Sequence, residues 1–172
     1  MEYPILISLA TFFLLILLMS YNFITLFISI VGFSLNIYVL LLYDAVNQSS
    51  REAGIKYYFL SSFSTGLLIG GILIVFFFFQ STNFLYITWK LNYLKEMNML
   101  FASERILTIS LYFIIIGILF KLAAFPCHLW AADIYEGSPH PLTAFFVLPI
   151  KIAVFGIFLR LLMYVFIDLY FI

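Results

Sequence analysis

The sequence predicts an all-α, polytopic membrane protein with about five transmembrane helices, and two observations support that prediction. First, 66% of the 172 residues are hydrophobic and only 9% are charged, a more apolar composition than a soluble domain of this size has. Second, the apolar residues form long runs, each near the ~20 residues that a helix needs to cross a bilayer core. We therefore treat residues 1–172 as a single membrane domain.

Charge and cysteine content exclude several classes of function. The eight Lys and Arg residues balance the eight Asp and Glu residues, so the chain has neither a basic surface for nucleic acid nor an acidic tail. The single cysteine, Cys127, cannot form an internal disulfide or hold a metal cluster by itself. The sequence also has no glycine-rich phosphate-binding loop. We therefore expect no cofactor, no metal and no nucleic-acid partner, with membrane lipids around the helices.

The first three predicted helices correspond to the first three apolar runs. The first covers about residues 3–19 and lacks the basic segment and cleavage site of a signal peptide. A short link at residues 20–22 leads to the second helix, about residues 23–43. The polar segment 44–55 separates it from the third helix, about residues 56–79. Within that segment Ser49 and Ser50 ahead of Glu52 form a helix-start pattern. The third helix contains small residues that let a neighbouring helix approach closely, namely Ser64, Gly66, Gly70 and Gly71.

Residues 80–105 form the longest polar connection and have the composition of a membrane–water interface. Tyr86, Trp89 and Tyr93 are mixed there with Lys90 and Lys95. Amphipathic aromatic rings and lysines that extend toward the headgroups are typical of this depth. We expect this connection to lie along the membrane surface.

The fourth predicted helix, residues 105–128, contains a proline, and the fifth covers residues 141–172. Pro126 cannot donate a backbone hydrogen bond, and in a continuous helix its ring would clash with the carbonyl of Leu122. Irregular backbone at membrane depth is tolerated only where protein or water satisfies it. We therefore predict that the fourth helix is broken near Pro126, just beyond Lys121.

Two lysines lie deep within the fourth and fifth helices. Lys121 is fifteen residues before Glu136, at the turn between these helices, and Lys151 is fifteen residues after it. Both amines then lie roughly 20 Å from the turn, within the ~30 Å hydrocarbon core. A charged amine there costs from about 3 to more than 10 kcal/mol, and such residues mark proton pathways. The pair predicts a proton relay, with His128 as either a further member or a hydrogen-bonded structural residue.

These residues resemble the antiporter-like family of respiratory complex I, the proton-pumping NADH:ubiquinone oxidoreductase, and in particular its subunit 2. The family pattern is Phe-Lys, Pro-Phe-His, Trp, Pro-Asp-Val-Tyr-Glu-Gly, Pro-Val-Thr-Ala-Phe and a later lysine. The matching residues are Phe120, Lys121, Pro126, His128, Trp130, Asp133, Tyr135, Glu136, Gly137, Pro139, Pro141, Thr143, Ala144, Phe145 and Lys151. A second stretch matches at Ser34, Leu35, Tyr38, Glu52, Ala53, Lys56 and Tyr57.

The resemblance implies a fold and an assembly. Family members hold two five-helix repeats of inverted topology, and residues 1–172 correspond to the first repeat. A second chain is then expected to complete the antiporter-like fold, beside other membrane-arm subunits of complex I. NADH, ubiquinone and the redox centres would bind to other subunits, while Lys121 and Lys151 would carry protons. The abundance of Phe, Tyr, Ile and Asn is typical of AT-rich codons and favours the mitochondrial inner membrane as the location.

One departure from the family pattern keeps a second interpretation open. Aligned without gaps, the glutamate that pairs with the family's lysine falls on Val31, which cannot titrate. The acids present lie near helix ends or in loops, at Glu2, Asp44, Glu52, Glu96, Glu104, Asp133, Glu136 and Asp168. A structural subunit without pumping is therefore the alternative. A cation/proton antiporter subunit is a third interpretation, which the stretch at residues 135–137 disfavours.

Overall fold

The structure, a computed structural model, describes residues 2–43, 48–96 and 104–166. Within those ranges it consists of helices joined by short turns, with one isolated bridge between Asn22 and Asn83. The helices are α1 Glu2–Met19, α2 Phe23–Tyr43, α3 Gln48–Phe79, α4 Phe84–Glu96, α5 Glu104–Leu122, α6 Leu129–Gly137, α7 His140–Phe145 and α8 Lys151–Leu161. Two π-helical segments, Phe146–Ile150 and Leu162–Phe166, continue α7 and α8 as one long helix. The end of the predicted fifth helix, at residues 167–172, lies outside the described residues.

The predicted all-α membrane fold is confirmed, including the interrupted fourth helix. A shorter apolar helix, Ile106–Leu122, ends where Pro126 would otherwise clash with the Leu122 carbonyl, and α6 continues after a break at residues 123–128. Four other described segments are long and apolar enough to cross a bilayer. They are Glu2–Met19, Phe23–Tyr43, Gln48–Phe79 and His140–Tyr164.

Helix α3 begins at Gln48, in agreement with the helix-start pattern at Ser49 and Ser50 and eight residues before the apolar run that set the predicted bounds. Hydropathy marks the part of a helix that lies in hydrocarbon, whereas the helix itself extends into the polar region. Its 32 residues span about 48 Å at 1.5 Å each, well beyond a ~30 Å core. In this polar extension the Lys56 amine pairs with Glu52 at 2.8 Å and with Asp133 of α6 at 3.2 Å.

The predicted interfacial connection contains helix α4, which the composition alone did not indicate. Tyr86, Trp89 and Tyr93 line one exposed stripe, and the Trp89 and Tyr93 rings stack with centroids 5.9 Å apart. The opposite side buries Phe84 and Ile87 against the helical core. This amphipathic pattern is typical of a helix lying in the membrane interface. The Lys95 side chain lies outside the described part of the chain.

Helices α3 and α5 approach each other closely through small residues. A Cβ atom on Gly71 would lie 2.8 Å from the Ser110 carbonyl oxygen, and one on Gly117 would lie 3.1 Å from the Ser64 carbonyl oxygen. The Ser64 hydroxyl also donates to the Gly117 carbonyl at 3.4 Å. The predicted close approach is therefore present at Gly71. Gly66 does not take part, since a Cβ there would meet no atom within 4 Å.

At the other end of the bundle, Arg160 of α8 closes the C-terminus of α1. Its guanidinium donates hydrogen bonds to the carbonyls of Leu18 and Ser20. The same group lies 4.6 Å from the centroid of the Tyr21 ring. A cation at a helix C-terminus is favourable because the last carbonyls carry partial negative charge. This contact fixes the long C-terminal helix against α1.

Candidate functional site

The break after α5 has a defined backbone structure. The amide of Ala123 donates to the Phe120 carbonyl at 3.2 Å, and that of Ala124 donates to the Leu119 carbonyl at 3.0 Å. Ala123 itself has a left-handed φ of 52°. These bonds form a Schellman motif, which gives carbonyls of the last turn their partners. The helix can therefore end after Leu122 at membrane depth without leaving all of its terminal carbonyls unsatisfied.

Lys121 lies in the last turn of α5 and is buried, with 8% of its surface exposed. Its amine donates a hydrogen bond to the Ser61 hydroxyl of α3 at 2.5 Å. It also lies 5.6 Å from the centroid of the Phe33 ring of α2. The negative end of the helix dipole and the face of the ring both favour a cation at this position. The ammonium is thus surrounded by neutral groups that stabilise positive charge.

Lys121 and Lys151 line one small cavity, so the structure brings the two predicted relay lysines together. The cavity has a volume of about 10 Å³, close to the space that a single water molecule needs. The Lys151 amine lies 5.7 Å from the centroid of the Tyr135 ring. The remaining lining residues are mostly aromatic, namely Phe33, Tyr57, Trp130, Tyr135, Phe146 and Ile150. A proton passing between the lysines would cross a narrow space with room for about one water.

Trp130 connects the two halves of the broken helix and lines the cavity. Its ring stacks on Phe120 with the ring planes 5° apart and centroids separated by 6.0 Å. Its indole N–H is buried and has no hydrogen-bond acceptor among the described protein atoms. A buried donor without a partner costs about 1–3 kcal/mol. A water in the adjoining cavity would give this donor an acceptor.

No described acid forms a salt bridge with Lys121. The ion pairs in the described ranges both involve Lys56, whose partners Glu52 and Asp133 are exposed. Val31, the position where the family resemblance places the glutamate, lines a groove that Ser61 also lines. Asp44 and Asp168 lie outside the described residues.

His128 and Cys127 lie within the break rather than beside the lysines. The His128 ring is exposed and lies 6.0 Å from the centroid of the Phe125 ring. It does not line the cavity that Lys121 and Lys151 share. Cys127 is a half-buried free thiol. A role for His128 in proton transfer therefore remains a prediction, without a contact to either lysine in its support.

The sequence interpretation missed a groove between α2 and α3 that is lined by hydroxyl groups. Its volume is about 120 Å³. Ser61 and Tyr57 form its inner wall, because both residues also line a small cavity at Lys121. The hydroxyl-bearing residues of the groove are Ser34, Tyr57, Tyr58, Ser61, Ser62 and Thr65. The stretch "SSFST" at residues 61–65 was the available signal, since clustered hydroxyls are uncommon in an apolar helix.

Comparison with known proteins identifies relatives along nearly the whole chain. The family model described as "NADH:quinone oxidoreductase/Mrp antiporter, TM" matches residues 20–171. NADH-quinone oxidoreductase subunit N of Pelagibacter ubique is 36% identical over 168 residues, which are 98% of this chain and 34% of that protein. NADH-ubiquinone oxidoreductase chain 2 of Marchantia polymorpha is 36% identical over 167 residues, 97% of this chain and 34% of that protein. The chain thus spans about a third of the length of these curated relatives.

Solved structures share the fold. A chain of respiratory complex I from Thermus thermophilus superposes with a TM-score of 0.77 at 23% identity, covering 92% of this chain and 34% of that chain. A chain of the membrane-bound sulfane sulfur reductase, an archaeal respiratory membrane complex, gives a TM-score of 0.70 at 22% identity. That match covers 83% of this chain and 28% of the other chain. At these identities the likeness is one of fold.

Proposed function

We propose that this chain, which belongs to the NADH:quinone oxidoreductase/Mrp antiporter transmembrane family, is a proton-carrying membrane-arm subunit of respiratory complex I. Relatives named as subunit N and as chain 2 of that enzyme support the assignment. In our proposal the chain is the first five-helix repeat of the subunit 2 type. It acts in the mitochondrial inner membrane as part of NADH:ubiquinone reductase and holds no redox centre itself.

The observation that supports a proton-carrying role is the pair of lysines on one cavity. Lys121 is buried in the last turn of the broken helix, and Lys151 lines the same cavity from the neighbouring helix. An amine kept at this depth is costly unless it works on an ion or proton path. The ammonium of one lysine can pass a proton to the neutral amine of the other through a single bridging water. Trp130 would orient that water through its buried N–H.

The assembly part of the proposal follows from the same residues. Lys121 and Lys151 require protein or water around them at mid-membrane depth. We propose that a second antiporter-like repeat, on a partner polypeptide, packs against this one and receives the proton from Lys151. Other membrane-arm subunits and lipids would cover the remaining exposed apolar faces. Isolation of the chain in lipid with no helical neighbour would contradict this part.

The test of the proton-carrying role is a Lys121→Met substitution in the assembled complex. Methionine keeps much of the side-chain length and removes the ammonium, so we expect the ratio of protons moved to electrons transferred to fall. The measurement compares proton uptake with NADH oxidation in sealed vesicles. Lys90→Met is the matched control, since the Lys90 amine lies on α4 and bonds the Phe79 carbonyl. That variant should leave the ratio unchanged.

A structural role without pumping is the second candidate, and Val31 favours it because the family's acid is missing there. Under that role Lys121→Met would leave the proton-to-electron ratio unchanged at normal assembly, and the proton-carrying proposal would be wrong. A cation/proton antiporter subunit is the third candidate. Co-purification of the chain with redox subunits would exclude it, whereas isolation with antiporter subunits alone would favour it.

A further inference from the structure

We propose that the groove between α2 and α3 is a water-filled access site for Lys121, with Ser61 as the hydroxyl that joins the water to the ammonium. The inference rests on the proposed function, since it names the route by which the relay lysine exchanges its proton. It also replaces the missing acid with a different chemistry. Hydroxyl groups and water, in place of a carboxylate, would hold and pass the proton.

The geometry supports this assignment at the inner end of the groove. Ser61 accepts a hydrogen bond from the Lys121 amine and at the same time lines the groove. Its Oγ is therefore the one atom of the groove wall with a described hydrogen bond to the buried ammonium. Tyr57 stands beside it and lines both the groove and the cavity between the two lysines. The Ser61–Lys121 hydrogen bond and the shared lining residue Tyr57 thus connect the groove with the cavity that Lys121 and Lys151 line.

The size and lining of the groove fit water. Its volume of about 120 Å³ is several times the ~10–15 Å³ that a single water needs on the same measure. Ser34, Ser62, Thr65 and the two tyrosines offer the two to four polar partners that an ordered water needs. Val31 lines the same groove, and it leaves open space that a longer glutamate would partly fill. The substitution that removes the acid therefore also makes room for solvent.

The charge of Lys121 gives the water a physical reason to be there. Lys121 has 8% of its surface exposed, and its ammonium has no salt bridge with a described acid. Desolvating a cation without a counter-ion costs several kcal/mol. Water that is hydrogen-bonded to the Ser61 hydroxyl, which itself contacts the ammonium, reduces this cost. The Ser34 and Thr65 hydroxyls already donate to carbonyls of their own helices, so their free lone pairs can accept from that water, whereas hydrocarbon in the groove would leave the cation without solvent.

Proton exchange through Ser61 balances without any further reactant. The Lys121 ammonium donates one proton to the Ser61 oxygen, while the Ser61 hydroxyl gives its own proton to a water in the groove. The serine is neutral before and after the transfer, and Lys121 is left as a neutral amine. The reverse sequence reloads the lysine. No covalent bond other than those to hydrogen forms or breaks.

A thiol-reactivity experiment in the assembled complex tests whether the groove holds water. In a Cys127→Ser background, which removes the single native cysteine, Ser62→Cys places a thiol on the groove wall. Phe63→Cys is the matched control, because Phe63 is 60% exposed and lies about 170° around the helix from the centre of the groove at 100° per residue. The probe is the small cation 2-aminoethyl methanethiosulfonate, which reacts with thiolates in water.

We expect the thiol at residue 62 to react at least about tenfold faster than the thiol at residue 63, since thiolates form in water and not in hydrocarbon. Equal, slow reaction at both positions would show that lipid or a partner helix fills the groove and would overturn the inference. A second pair of variants tests the connection to Lys121. Ser61→Ala should lower the proton-to-electron ratio toward that of Lys121→Met, whereas Ser61→Thr, which keeps a hydroxyl, should preserve it.

The outcomes separate this inference from the proposed function. If Lys121→Met lowers the ratio while Ser62→Cys is unreactive and Ser61→Ala has no effect, the lysine carries protons by another route and the groove inference is wrong. If Ser62→Cys reacts but neither Lys121→Met nor Ser61→Ala changes the ratio, the groove is hydrated without serving proton transfer. The inference and the proposed function then both fail.

Discussion

The contact between α3 and α5 holds Ser61 beside Lys121, and one methyl group placed in that contact should disturb it. Gly71→Ala adds a Cβ atom that would lie 2.6 Å from the Ile114 Cγ1 atom and 2.8 Å from the Ser110 carbonyl oxygen. The oxygen belongs to the backbone and cannot rotate away. The two helices must therefore separate by several tenths of an ångström to restore ordinary contact.

The size of the effect follows from that overlap. An extra methyl group forced into a packed interior costs about 1–3 kcal/mol, because the surrounding atoms lose their own contacts as they move. At ~2–4 °C per kcal/mol for a chain of this length, the loss corresponds to roughly 2–12 °C in the melting temperature. Gly66→Ala makes the same chemical change on the same helix, but its methyl group would meet no atom within 4 Å.

The assay is the thermal midpoint of the detergent-solubilised complex, followed by size-exclusion chromatography after heating. We expect Gly71→Ala to melt lower than the unaltered protein and Gly66→Ala to melt within ~2 °C of it. Equal midpoints for the two variants would refute the reasoning, because they would show that the α3–α5 contact has room for a methyl group. A fall for Gly66→Ala alone would point to a partner helix on that face of α3 instead.

Two further substitutions test the ends of helices. Ala123→Gly should raise the free energy of unfolding by about 0.5–1 kcal/mol. Glycine avoids the ~1–2 kcal/mol that the left-handed conformation costs an L-residue, and its greater freedom in the unfolded chain offsets part of that gain. An unchanged or lower thermal midpoint would contradict the Schellman assignment. Arg160→Met removes two charged hydrogen bonds to the Leu18 and Ser20 carbonyls and should cost about 1.5–3 kcal/mol. The same heating assay measures that loss, and an unaffected midpoint would show that Arg160 does not secure α1.

The sequence predicted the bounds of a helix or the position of a break correctly where one local physical rule determines them. The second helix was predicted with the bounds that α2 shows. Polar residues flank its apolar run on both sides, and the length of that run matches the thickness of the hydrocarbon core. The break was predicted from Pro126, since a missing donor and a steric clash act locally. The sequence indicated the start of α3 at Ser49 and Ser50, but the predicted bounds followed the apolar run and left out its polar first turns. The contacts of those turns with α6 become visible only in three dimensions.

The site was partly predictable for a related reason. Counting residues from the turn placed Lys121 and Lys151 at one depth, and the structure shows them on one cavity. Counting cannot say which face of a helix a residue occupies relative to a distant helix. The pairing of Lys121 with Ser61, 60 positions earlier in the chain, therefore had no signal in the sequence. The hydroxyl cluster at residues 61–65 is visible in the sequence, but the groove that it lines depends on how α2 and α3 are rotated against each other.

The π-helical segment Phe146–Ile150 determines which way Lys151 faces. Such a segment contains one residue more than an α-helical turn, and each residue turns the chain by about 100°. The residues after the segment are therefore rotated by about a quarter of a circle from where a regular helix starting at His140 would place them. Lys151 follows the segment directly, so its place on the cavity depends on an insertion-like irregularity in the chain. Deletion of one residue between Phe146 and Ile150 would change no charged residue, but it would rotate the Lys151 amine away from the cavity that it shares with Lys121.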